Sequence, residues 1–161
     1  LSKTSFNVVR YGNVIGSRGS VIPYFKELIA SEKPLKITSK EMTRFLITLD
    51  EAIDLVIKAI LSEYTNCIFV PDIPSCNILD LAISMVGIDY PIEYVGIRPG
   101  EKIHECLINE EEMRRTIKKD SYYIIMPFGE YDGGREEEYI SSSNLLNVED
   151  IKVILKNCGY D

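Results

Sequence analysis

Between residues 6 and 97, short β-branched or aromatic runs alternate with stretches of helical spacing, and few folds accommodate that alternation. The runs FNVVRY (6–11), LKIT (35–38), RFLIT (44–48), CIFV (67–70) and IEYVGI (92–97) are strand-sized and read as strands buried on at least one face. The intervening segments carry helix signals. Ser20 is predicted to cap a helix with apolar positions Val21, Tyr24, Phe25, Leu28 and Ile29, and Pro23 suits its first turn. Thr48 and Glu51 make a capping box, after which Leu49, Ile53, Val56, Ile57, Ile60 and Leu61 are expected to form the buried face. Asn77 is expected to cap a third helix reaching Val86. The order predicts an α/β fold with a mixed, partly parallel sheet and helices. Such sheets place ligands beyond the carboxyl ends of their strands, here the loops after Tyr11, Thr38, Val70 and Ile97.

Past Pro99-Gly100 the pattern becomes α+β. Helical spacing is expected from Glu101 to near Lys119, with a new start at Asn109, followed by a strand over 121–126. The polar, glycine-rich stretch 129–138 is expected to be mobile. A last helix over 148–157 is predicted, with Asn147 as cap and Gly159 as stop.

At 161 residues the chain suits one compact core, and its 45% apolar and 27% charged content is that of an ordinary globular domain. A formal charge of −7 gives no overall field for nucleic acid or anionic lipid, so an anionic ligand would need a local cluster of donors. Cys67, Cys76, Cys106 and Cys158 lack the close spacing of a zinc or redox site and read as reduced thiols of a cytoplasmic protein. No stretch approaches the ~20 apolar residues of a membrane span. The start, LSKTSFNVVRYG, is neither a signal peptide nor a methionine start, which suggests a fragment or a processed product.

In RYGNVIGSRGSV (10–21), glycines at 12, 16 and 19 allow close approach of a ligand to the backbone. Asn13 offers a donor and an acceptor, Arg18 offers a fork, and the following helix amino-terminus favours an anion. A plain strand-to-helix connection carries equal weight. The loop is neither a P-loop nor a dinucleotide fingerprint. In GIRPGEKIHE (96–105), Arg98 follows a strand and Glu101 is expected to open a helix; the two could clamp a diphosphate and a ribose diol, or simply pair at the surface. Arg44 and Thr38 also sit at strand ends. His104, the only histidine, is expected on that helix without metal-ligand partners.

RYGNVIGSRGSVIPYF, MTRFLITLDEAIDLV, IFVPDIPS and GIRPGEKIHE, in this order, resemble the UDP-N-acetylglucosamine 4,6-dehydratases of the extended short-chain dehydrogenase/reductase superfamily. These enzymes serve polysaccharide biosynthesis and flagellin glycosylation. The resemblance continues through INEEEMRR and EYISSSN. It implies an NAD(P)-binding Rossmann-like protein of which residues 1–161 form a single carboxyl-terminal, substrate-binding region with the last strands of the sheet. The dinucleotide-binding part, with a Thr/Ser-Asp-Lys group and a Tyr-x-x-x-Lys motif, would lie before Leu1, as would most groups controlling inversion at C5. The implied ligand is a UDP-N-acetylhexosamine. Asn13 resembles the residue that contacts the sugar, and Arg18 and Thr38 resemble parts of the uridine-diphosphate site. Arg44 and Arg98 resemble the diphosphate-holding arginines, and Glu101 the acid on the ribose hydroxyls. Val14 resembles a neighbour of the nicotinamide. NADP (or NAD) is implied for the complete enzyme, a homo-oligomer, with no cofactor expected on this chain alone. No catalytic residue is implied within the chain, which alone is expected to be inactive. The alternative is a non-catalytic UDP-sugar-binding or scaffolding module from a split or truncated gene.

Overall fold

A computed structural model describes residues 4–131, 133–134 and 137–160. Its first strand, β1 (Val8–Val9), pairs in parallel with β5 (Ile68–Pro71), and β5 continues antiparallel to β10 (Tyr122–Ile125) and β10 to β9 (Thr116–Lys118). A second sheet joins β2 (Asn13–Val14), β4 (Thr43–Ile47) and β6 (Ser75–Asn77), and β3 (Leu35–Ile37) pairs in parallel with β7 (Ile92–Tyr94). A fourth, two-stranded sheet pairs β8 (Cys106–Ile108) with β11 (Tyr139–Ile140). The architecture is thus mixed α/β with partly parallel pairing, distributed over four small sheets because most strands run only two to four residues.

The helices are α1 (Val21–Ala30), α2 (Leu49–Leu61), α3 (Ile78–Val86), α4 (Glu110–Arg114) and α5 (Val148–Asn157). α1, α3 and α5 bury their apolar stripes in one cluster built on Phe25, Leu35, Ile37, Leu81 and Ile151. The predicted caps at Thr48, Asn77 and Asn147 form. Thr48 Oγ1 accepts from the Glu51 N–H at 3.2 Å, and Glu51 Oε2 accepts from the Thr48 N–H at 2.8 Å. Ser20 occupies the predicted cap position without a side-chain cap bond, because the third helical residue, where a capping hydroxyl finds a donor, is Pro23.

Two expectations are corrected. The face of α2 predicted to be buried, from Leu49 to Leu61, is exposed; the helix meets β1 and β5 through Ala52, Leu55 and Ala59 instead. Small side chains let the helix axis approach the sheet, and that contact outweighs the larger stripe on the opposite side. Likewise, Glu101 opens no helix and His104 lies on none: residues 101–105 are irregular, Cys106–Ile108 is a strand, and α4 spans only five residues. A short apolar run with two buried members serves a strand as readily as a helix, and pairing with β11 selects the strand. Thr116 Oγ1 then donates to the Glu112 carbonyl at 2.7 Å, where the chain leaves α4 for β9. The mobility expected of 129–138 falls partly on residues 132, 135 and 136, outside the described residues.

Candidate functional site

The site is built where β2 crosses β4. Asn13 pairs with Leu46 and Val14 with Ile47, an approach so close that a Cβ on Gly12 would sit 2.4 Å from the Phe45 Cβ. Beyond Val14, Gly16 takes a positive φ of 69° and packs under the Tyr160 hydroxyl, so the glycine-rich loop is braced by the segment that follows α5. The loop delivers Gly19, Ser20 and the first turn of α1 to the edge of a cavity of about 580 Å³, within the range of small-ligand sites.

Asn13, Thr38, Arg44, Arg98 and Glu101 all line this cavity. Five of the six residues expected to bind substrate thus converge from three separate stretches of sequence. Arg18 is exposed on the loop and is not among the lining residues; its neighbours Gly19 and Ser20 take that place. Val14 is partly buried against Phe45 and Ile47. The loop after Val70, also expected at the site, lies elsewhere and binds Tyr139, whose hydroxyl accepts from the Ile73 N–H and donates to the Ile73 carbonyl, both at 2.8 Å.

Each side chain has a distinct state. Glu101 accepts from Thr38 Oγ1 through Oε1 and from the Arg98 N–H through Oε2, both at 3.1 Å. Its carboxylate is therefore held in place, with lone pairs left over for a diol. The Arg98 guanidinium makes no ion pair or hydrogen bond among the described residues, and the expected surface pairing with Glu101 is a backbone contact instead. Arg44 is largely spent: it donates to the carbonyls of Thr43 (2.7 Å), Ile103 (3.1 Å) and Lys102 (2.9 Å), and its Nε faces Glu105 at 3.5 Å. One N–H remains for a ligand.

The electrostatics favour an anion. The Val21 and Ile22 N–H groups of α1 have no side-chain cap, and the Ser20 hydroxyl is buried without a partner among the described residues. Lys36, which faces Glu93 at 3.9 Å, also lines the cavity wall, where β3 alternates buried Leu35, outward Lys36 and buried Ile37, and Glu27 is a carboxylate on the same wall; the period of two is the signal that finds Lys36. A second cavity of about 580 Å³ lies between the carboxyl-terminal halves of α1, α3 and α5. Its lysines face the negative ends of helix dipoles, so the two cavities differ in sign at the backbone. Beneath the first, burial pushes the Cys76 thiol up to about 12, which leaves no thiolate nucleophile there. Among the described residues no group of three or more His, Cys, Asp or Glu could hold a metal ion, and no helix is long and apolar enough to cross a membrane.

The fold is that of the short-chain dehydrogenase/reductase superfamily. Residues 1–127 match the family described as polysaccharide biosynthesis protein, and the chain belongs to that family. It is 43% identical over 126 residues to the inverting UDP-N-acetylglucosamine 4,6-dehydratase of Campylobacter jejuni, covering 78% of this chain and 37% of the relative. Over 174 residues it is 38% identical to a UDP-glucose 4-epimerase of Rickettsia bellii, covering 98% of this chain and 51% of the relative. The crystal structure of Pen from Bacillus thuringiensis superposes with a TM-score of 0.87 at 31% identity, covering 97% of this chain and 50% of that one. The chain thus spans about half the length, or less, of these relatives.

Proposed function

We propose that the chain forms the nucleotide-sugar wall of a UDP-N-acetylhexosamine 4,6-dehydratase serving surface-polysaccharide or flagellin glycosylation. The observation that carries this is the guanidinium of Arg98, without a protein partner among the described residues, set in one cavity with the open amino-terminus of α1 and the Thr38–Glu101 pair. Arg98 and the α1 amides take the diphosphate, Glu101 accepts from the ribose hydroxyls, and Asn13 meets the sugar at the mouth. The 43% identity to the Campylobacter dehydratase supports dehydration, and the 38% identity to the Rickettsia epimerase over 98% of the chain keeps epimerisation as the alternative the product decides.

The remaining half of the active site is assigned to an amino-terminal dinucleotide-binding unit. Among the described residues β1 has an unpaired outer edge, Phe6 beside it is 72% exposed, and α2, packed on β1 and β5, leaves its larger apolar stripe exposed. Such a surface fits a further strand and helix of a parallel sheet. NADP(H), when bound, takes up a hydride and returns it. Among the described residues only Val14 is offered to the nicotinamide, and no glycine-rich dinucleotide turn is present, so the cofactor site falls to that unit. The residues here bind and orient the substrate.

In the complete enzyme, Arg98→Lys keeps the charge and loses the planar fork. KM for UDP-N-acetylglucosamine is expected to rise about 10- to 100-fold, the worth of a charge-assisted contact, with a smaller fall in kcat because the diphosphate lies away from the reacting carbons. An unchanged KM removes Arg98 from the site. A 4-keto-6-deoxy product supports the dehydratase assignment, and a 4-epimer with its 6-hydroxyl intact replaces it with an epimerase.

A further inference from the structure

The stretch 98–105 supplies Arg98 and Glu101 yet has no regular secondary structure, and residues 93–100 are exposed throughout. Ile97 is 58% exposed, so no apolar side chain anchors the stretch at that end. Thr38 holds it midway, through Glu101, and a set of polar contacts holds its far end. Thr43 Oγ1 lies 2.6 Å from Ser141 Oγ and 2.8 Å from His104 Nδ1. Ser141 Oγ also accepts from the Glu105 N–H at 2.9 Å, and the Ser141 N–H donates to the Glu105 carbonyl at 2.8 Å. The Thr43 N–H donates to the Ile103 carbonyl at 2.9 Å.

We propose that Ser141, Thr43 and His104 form a latch that positions the 98–105 stretch, and through it Arg98 and Glu101, over the diphosphate end of the cavity. The proposal rests on the nucleoside-diphosphate reading of that cavity. Thr43 and Ser141 are 2% and 0% exposed, while His104 is exposed and belongs to the stretch itself. The first two are therefore fixed in the body of the protein, and the third is the part they catch. One assignment closes donors and acceptors without an orphan: Ser141 Oγ–H donates to Thr43 Oγ1, with the Thr43 carbonyl as a second acceptor at 3.2 Å, and Thr43 Oγ1–H donates to His104 Nδ1 in the tautomer that carries its proton on Nε2. Ser141 follows β11, which is hydrogen-bonded to β8, so the latch is held from a strand pair that never touches the cavity. Arg44 reinforces it from the next position of β4 by donating to the carbonyls of Lys102 and Ile103. An ordinary buried anchor would produce the same bonds. What separates a latch is that breaking it acts on ligand affinity only through Arg98 and Glu101.

The test uses the chain as it stands, with UDP as probe. Amide hydrogen exchange and NMR titration are compared for the unaltered chain, Thr43→Val, Thr43→Ser and Ser141→Ala. Thr43→Val and Ser141→Ala should raise exchange of the amides of 101–105 about tenfold while those of β4 and β5 hold, and should weaken UDP about three- to tenfold, as expected for loss of a buried hydrogen bond. Thr43→Ser, which keeps the hydroxyl, should restore both. In an Arg98→Ala, Glu101→Ala background the loss of UDP affinity caused by Thr43→Val should vanish, because both residues being positioned are gone. Should Thr43→Val fail to fold, exposed His104→Ala carries the same expectation at smaller size. Faster exchange spread over β4 and β6, unchanged UDP affinity in variants whose 101–105 amides are released, or additive effects with the Arg98→Ala, Glu101→Ala pair would each overturn the latch. Localised exchange together with no UDP binding by the unaltered chain would instead overturn the nucleoside-diphosphate reading beneath it.

Discussion

Helices α1 and α2 carry apolar stripes of similar strength and end in opposite surroundings. α1 places Ile22, Phe25 and Leu28 in the cluster shared with β3, α3 and α5, and its amino-terminus opens on the cavity. α2 presents Ala52, Leu55 and Ala59 to the sheet and leaves Ile53, Val56, Ile57, Ile60 and Leu61 outside, the last two 73% and 78% exposed. The chain thus closes its core around the cavity, its finished side, while the outer face of α2 stays bare. The chain spans about half the length of its relatives, and the amino-terminal unit proposed above is the partner fitted to that bare face.

The largest expected effect separates the two helices by stability. Phe25→Ala opens a void in a fully buried site and should cost about 3–5 kcal/mol, whereas Ile60→Ala on the bare face should stay within about 0.5 kcal/mol. Denaturant midpoints at equal slope decide this, and similar losses at both positions would erase the contrast.

The second effect is on association. Leu49, Ile53, Val56 and Ile60 recur at the four-three-four spacing of a helix-pairing seam, and each such side chain offers roughly 1.5–3 kcal/mol on full burial. The chain is expected to sediment above its 18.3 kDa mass, and Ile53→Lys with Ile60→Lys to return it to a monomer. A monomeric unaltered chain at high concentration would contradict this.

A smaller effect tests how the finished region is tied to β1. Arg10, just past β1, donates to Glu112 through two bonds of 2.8 and 2.9 Å and to the Leu107 carbonyl at 2.7 Å, joining the sheet edge to α4. The hydrogen bonds from Arg10 hold the Glu112 carboxyl below the usual glutamate range against the opposing pull of its burial. A lowered folded value contributes stability that is fully present above the unfolded pKa and is lost as pH falls through the folded one. Thermal melts of the unaltered chain should therefore fall more steeply than those of Glu112→Gln as pH drops below the ordinary carboxylate range. Parallel melting profiles would show that the pair contributes nothing.

Much of this contrast could be read in advance, for reasons that differ by residue. The capping box at Thr48 and Glu51 and the caps at Asn77 and Asn147 are local, so neighbours in sequence determine them. The face α2 buries is not local: periodicity finds the larger stripe, whereas the close approach of Ala52 and Ala59 depends on the sheet. Residues 101–108 read as helix because Ile103 and Leu107 have helical spacing, and only pairing with Tyr139–Ile140, some thirty residues on, makes a strand of 106–108. At the site, Arg98 and Thr38 are legible as strand-end residues, and Glu101 as the carboxylate just past the Pro99-Gly100 turn, although the helix expected to start there does not form. The commitment of Arg44 to backbone carbonyls of 102–103 was not, since those carbonyls carry no mark in the sequence. Ser141 sat in a serine run that reads as a polar turn, and its full burial depends on Thr43, 98 positions away.

Whether the finished side is a nucleoside-diphosphate site is decided by an NMR titration of the isotope-labelled chain with UDP, because amide shifts register even the weak binding expected of a single wall. Saturable shifts are expected at Ser20–Ile22, Thr38, Arg98 and Glu101, none on the outer face of α2, and none anywhere with NADP+. Shifts concentrated at the lysine-bearing second cavity, or tight binding of NADP+, would contradict that assignment.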